Sequence, residues 1–206
     1  VTADGAPPPR RPLSRDVVLD VARAQVADGG LESLSSRTVA ARLSVTPMAL
    51  YRHVADMDEV IGVVVDDLLR DLGTPPPTSD WADWLEQLAQ ALRAALRQHP
   101  AMLALFNRRP ITSPAARRRL EVAVEVLTAS GFTPEGATQA YAAVHTYTIG
   151  FSALDEGRRT TPAPSGPIDA AGDESSVAIR GFVSEEQFVH GLRALIAGLG
   201  PPSGRR

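Results

Sequence analysis

SSRTVAARL (residues 35–43), SV (44–45) and TPMALYRHV (46–54) read as two short helices with almost nothing between them. Ser35 is a good N-cap, and Val39, Ala40 and Leu43 then recur at helical spacing. Thr46-Pro47 is a second cap, followed by proline at the first helical position, and its helix is expected to run to about Val54. A pair of helices this small does not make a bundle. It suits a helix-turn-helix, in which the first helix braces on the DNA backbone and the second enters a major groove about 12 Å wide.

Working outward, the chain stays helical. Ser14 caps a helix whose buried face carries Val18, Val21, Ala22 and Val26, and Gly29-Gly30 stops it. Asp56 with Glu59 forms a capping-box pattern. The strand-prone run Val63-Val64-Val65 that follows continues without a break to Leu72, too far for an ordinary strand. Beyond Pro75-Pro76-Pro77, a helix opens at Trp81 and Trp84 and reaches His99, and a short one covers Ala101 to Asn107. Ser113-Pro114 and Thr133-Pro134 start two more, ending near Ser130 and Asp155. Ser184 with Gln187 opens the last, faced by Phe188, Leu192, Leu195 and Leu199. The fold class expected is all-α.

Composition narrows the chemistry. The 206 residues are 44% hydrophobic and 22% charged, enough for a core and too balanced for a disordered chain. Without cysteine, disulfides, thiolate metal sites and cysteine nucleophiles are excluded. No apolar run approaches the ~20 residues of a membrane span, and the first twelve residues carry no apolar leader core, so a cytoplasmic protein without a membrane partner is expected. The net charge of −3 hides an asymmetry: residues 1–56 sum to +1 and residues 57–206 to −4. Residues 35–54 hold Arg37, Arg42 and Arg52 and no acid, a local basic footprint suited to phosphate. All 21 basic residues are Arg, which fits a GC-rich coding bias and is not evidence of phosphate selection.

The stretch GGLESLSSRTVAARLSVTPMALYRHVADMDEV, Gly29 to Val60, resembles the DNA-binding domain of the tetracycline-repressor family of bacterial transcriptional regulators. RQHPAM, the RRP before residue 111, SGFTPEGA, YTIGF and FVHGLRALIAGL resemble that family's ligand-binding domain, of the tetracycline-repressor-like C-terminal type. The resemblance implies a DNA-binding domain over 13–56 and a ligand-binding and dimerisation domain over 57–199, flanked by a disordered arm (1–12) and a tail (200–206). The Pro-, Gly- and Ser-rich segment 157–183 is expected to be a flexible loop. The implied DNA contacts are Ser36, Arg37, Thr46, Pro47, Met48, Ala49, Tyr51, Arg52 and His53. Two departures stand out: Ser44 where the family usually has glycine, tolerable if the turn avoids positive φ, and Met57 where it has a phosphate-binding lysine.

Thr138, Tyr141, His145, Thr148, Ser152 and Asp155 recur every three or four residues and share one helical face, which is either solvent-facing or lines a site. The resemblance points Thr138 and Tyr141 at a ligand cavity. Its wall would hold Trp84, Leu88, Leu92, Leu105, Phe106 and Leu120, with Tyr141 and His145 as polar anchors. Where tetracycline-sensing members place histidines on their drug–magnesium chelate, this chain has Leu105 or Phe106 and Gly73, so no metal and no cofactor is expected. His53, His99, His145 and His190 are scattered, Arg117-Arg118-Arg119 reads as a solvated face beside Glu121 and Glu125, and neither a nucleophile elbow nor a glycine-rich phosphate loop is present. The expected partners are double-stranded DNA with a near-palindromic operator, a small apolar or aromatic inducer, and a second copy of the chain. The homodimer would bury Ala140, Tyr147, Phe151 and Leu154 with Phe188, Leu192 and Leu195. The rival reading is an all-α ligand-binding or interaction protein whose helix-turn-helix has lost DNA affinity, as Met57 suggests; an enzyme built on His145 and Tyr141 is the third.

Overall fold

The computed structural model describes residues 12–78, 80–108, 113–160 and 182–200. The arm before Pro12, most of the 157–183 loop, the RRP segment beyond residue 108 and the tail beyond residue 200 therefore lie outside the described residues. Nine α-helices and no strand occur among those described: α1 (Arg15–Gly29), α2 (Ser36–Leu43), α3 (Pro47–Leu50), α4 (Met57–Leu72), α5 (Trp81–Gln98), α6 (Ala101–Arg108), α7 (Pro114–Ala129), α8 (Pro134–Thr160) and α9 (Glu185–Ala197). The residues group into two compact units divided between Val65 and Asp66, inside α4 and not at its start.

In the first unit, α1 packs on α2 and α2 on α3. Ser14 accepts from the Val17 amide and Ser35 from the Thr38 amide, while the Thr38 hydroxyl accepts from the Ser35 amide to complete a capping box. Gly30 adopts φ 75° after α1 and leads into a 3-10 turn, Leu31–Ser33, that the sequence pattern does not announce. That turn is held by Gln25, whose side-chain amide donates to the Ser33 carbonyl at 2.6 Å. Two expectations need correction. The third helix stops at Leu50, because the following turns tighten: His53 donates to the Leu50 carbonyl at 2.8 Å, a three-residue spacing. Ser44 does take a positive φ (55°), alone among the described non-glycine residues. An L-residue there costs on the order of 1 kcal/mol that glycine would not.

The second unit is built on α5, α7, α8 and α9. Its core joins Trp84, Leu85 and Leu88 of α5 to Val122, Ala123, Val126 and Leu127 of α7, with Ala137, Ala140 and Val144 of α8 and Phe188, Leu192 and Ile196 of α9. α8 continues to Thr160, past the Asp155 end expected, and so takes in the first residues assigned to the loop. The N-terminus of α7 is pinned by Asp66, whose buried carboxylate accepts from the Ala115 amide at 2.8 Å and from Arg70 at 2.5 Å.

Candidate DNA-binding face and ligand cavity

Leu50 is the inward side chain of α3 and is fully buried, which turns its neighbours outward. Met48 is 76% exposed and Tyr51 41% exposed. Thr46, Met48, Ala49, Tyr51 and Arg52 line one shallow surface depression, and Pro47 is exposed beside them. Ser36 and His53 are half-buried and Arg37 is exposed. Arg42 pairs with Asp28 of α1 and remains partly exposed. Arg37 and Arg52 make no ion pair among the described residues. The start of α4 departs slightly from the capping box: Asp56 accepts from the Glu59 amide at 2.7 Å, but Glu59 accepts from the Ala55 amide and from Arg15. The Ala55 amide first, and Arg15 second, hold the Glu59 carboxyl below its usual range.

The second candidate site is a small cavity between α5, α7 and α8. Leu88, Ala89 and Leu92 form one wall, Val144 and Thr148 another, and Tyr141, His145 and Arg119 supply the polar groups. Of the nine residues expected at the ligand, Leu88, Leu92, Tyr141 and His145 are brought together here. Phe106 adds its ring edge-on to His145, with centroids 5.7 Å apart. Trp84 is instead fully buried structural core, with its indole N–H donating to the Pro75 carbonyl at 3.0 Å. Thr138 is exposed and donates back to the Pro134 carbonyl. Leu105 and Leu120 are half-buried outside the cavity wall. Thr148 and Ser152 are satisfied by carbonyls of their own helix, Val144 at 2.8 Å and Thr148 at 2.7 Å.

Arg119 is the residue that the sequence reading missed. It is only 5% exposed, whereas Arg117 and Arg118 are solvated as expected. The helical period was the available signal: position 119 lies on the α7 face of Ala115, Val122 and Val126. Its guanidinium donates to the Gly73 carbonyl, and Arg119 lines the cavity together with Tyr141 and His145. Burial, with the Arg119 charge adding to it, lowers the His145 imidazole to about 4, so it is neutral near pH 7. Burial also raises the Tyr141 phenol against the opposing pull of Arg119. The cavity itself is about 10 Å³, room for at most one water, against the roughly 300–1,000 Å³ of small-molecule pockets. As described, the cavity is closed to a small molecule. Among the described residues no group of three or more His, Asp or Glu could hold a metal ion.

The expected interface residues are placed unevenly. Phe188, Leu192 and Ala140 are buried within the single chain. Arg93 and the rings of Tyr147, Phe151 and Phe188 enclose one another there. Tyr147, Phe151 and Leu195 are half-buried, and Leu154 is 61% exposed.

With both sites described, the comparisons decide the family. The tetracyclin repressor-like, C-terminal domain model matches residues 74–201. The chain belongs to the tetracycline-repressor-like family. A curated relative, the HTH-type transcriptional repressor DrrR1 of Streptomyces coeruleorubidus, is 33% identical over 145 residues, 69% of this chain and 53% of that protein. The chain spans little more than half the length of this and a second such curated relative. A possible TetR family transcriptional regulator from Streptomyces coelicolor A3(2) has a TM-score of 0.72 at 28% identity, covering 90% of this chain and 98% of that one. The structure of BioQ with its double-stranded DNA operator has a TM-score of 0.62 at 25% identity, covering 91% and 98%. In this tetracycline-repressor-like chain no described helix is long and apolar enough to cross a membrane.

Proposed function

We propose that the chain is a ligand-responsive transcriptional repressor without enzymatic activity. It acts in the cytoplasm as a homodimer on a near-palindromic operator. The observation that carries this reading is the outward face of α3, where Met48 and Tyr51 are exposed beside the unpaired Arg52 while Leu50 anchors the helix. Apolar groups can meet thymine methyls and arginine can meet base edges or phosphate. That one relative is named a repressor, and that BioQ is seen on its operator, supports the same use of the fold here. Release would follow uptake of a ring-containing molecule by the α5–α8 cavity, without a divalent metal. The half-buried Tyr147, Phe151 and Leu195 and the exposed Leu154 are the residues left for the dimer contact.

The test is selection of DNA sites by the full chain, followed by binding measured against salt. A regulator yields a palindromic motif with half-sites about 34–36 Å apart. Its affinity falls with salt by a log–log slope of about 0.9 per neutralised phosphate. Arg37→Ala and Tyr51→Ala weaken binding without changing the melting temperature. Absence of any selected motif favours the rival, a ligand-binding protein with an inactive helix-turn-helix.

A further inference from the structure

We propose that the α5–α7–α8 cavity recognises an aromatic acid, with the guanidinium of Arg119 receiving its carboxylate. The inference rests on the reading of this cavity as the ligand site and adds the chemical class of the ligand.

Arg119 is a buried cation with no acid paired to it among the described residues: it donates to a backbone carbonyl, that of Gly73, and Tyr141 lines the cavity beside it. No Asp or Glu lines the cavity. Guanidinium keeps its proton in proteins, so the charge is carried into the interior uncompensated. Burial accordingly lowers its affinity for that proton relative to a free arginine. Neutral acceptors relieve only part of this. A carboxylate would relieve it more fully, through two parallel N–H···O bonds that a planar guanidinium is shaped to give.

The neighbouring groups suit the same ligand. The Tyr141 hydroxyl can donate to an acid oxygen. His145 is neutral and offers one donor and one acceptor nitrogen. The remaining wall is apolar (Leu88, Leu92 and Val144), and Tyr141 and His145 already stack on each other, with centroids 5.5 Å apart. A flat ring slipping against that stack places its acid on Arg119. A ligand that is apolar throughout would leave the guanidinium with its present partners and gain nothing from it.

Calorimetric titration of the full chain with benzoate, 2-naphthoate and anthracene-2-carboxylate, each beside its carboxamide, tests this at pH 7.5. The expected result is at least one acid bound tenfold or more tighter than its amide, with the ratio falling to near one in Arg119→Met. Arg119→Lys, which keeps the charge but not the fork, should retain part of the preference. Amides bound as well as acids, a preference that survives Arg119→Met, or no acid bound at all would overturn the proposal. No DNA is present in these titrations. An acid that binds through Arg119 and fails to displace operator DNA therefore supports this inference and removes only the proposal that uptake at this cavity releases DNA.

Discussion

Among the described residues of the second unit two arginines are buried, and the chain treats them in opposite ways. Arg93 on α5 is 2% exposed and meets Asp155 of α8 and Glu185 of α9, each at 3.1 Å. Its guanidinium lies 4.4 Å from the Phe188 ring centroid and 4.9 Å from that of Phe151. Around it the packing is tight: Tyr147 donates to the Phe188 carbonyl at 3.1 Å over Gly191, where a Cβ would come within 2.3 Å of the tyrosine oxygen. Arg119 is equally hidden but meets no acid among the described residues, and it borders the cavity instead of a filled core. A buried charge that its own chain neutralises holds three helices together. A buried charge left to neutral acceptors beside a void is poised for something from outside. Burial alone does not distinguish them; the inventory of counter-charges does.

The same substitution at both positions is the sharpest way to break this comparison. Arg93→Met should cost about 3 kcal/mol in urea unfolding, because Asp155 is left half-buried without its partner. Arg119→Met should change stability by less than about 1 kcal/mol, since no acid is orphaned and Gly73 is exposed to water. Equal losses at both sites would erase the distinction.

The pH dependence is expected to be comparable to the first effect. His145 titrates near 4 in the folded chain against 6.5 ordinarily, so the unfolded chain binds more protons between those values. Stability is therefore fully present above about pH 6.5 and is lost as pH falls towards 4, by about 3 kcal/mol for a depression of this size. The facing groups are Phe106 of α6, Leu88 and Leu92 of α5, Tyr141 on its own helix and Arg119 of α7, which is the one charge. Unfolding of His145→Phe measured across this range should lack that limb. Gly191→Ala should cost about 1–3 kcal/mol by forcing Tyr147 aside, read as a lower melting temperature. A small effect is expected of Glu185→Gln, about 1 kcal/mol, because Glu185 is 56% exposed and its loss leaves Asp155 on Arg93.

The helices were legible because their signals are local. Ser14, Ser35, Ser113 and Ser184 each accept from a first-turn amide as their positions imply, and the apolar spacings of α1, α5 and α9 face the cores. The tetracycline-repressor resemblance likewise rests on a continuous string, residues 29–60. The candidate sites were legible only in part. Tyr141 and His145 stood out within a polar stripe of α8 that runs from Thr138 to Asp155. Arg119 was hidden in a run of three arginines, and the acids that would mark it as solvated, Glu121 and Glu125, serve Arg118.

What the sequence determined by itself is the helical class, the two-helix reading element and most of the boundaries, since capping and periodicity act within a few residues. What only the tertiary structure decided is which charges are neutralised. Asp28 pairs with Arg42, Asp155 and Glu185 claim Arg93, and Arg119 meets no acid among the described residues but donates to the Gly73 carbonyl. Those pairings join residues 14, 62, 92 and 46 positions apart. Electrostatic energy in a low-dielectric interior depends on distance through space, which no local pattern along the chain records.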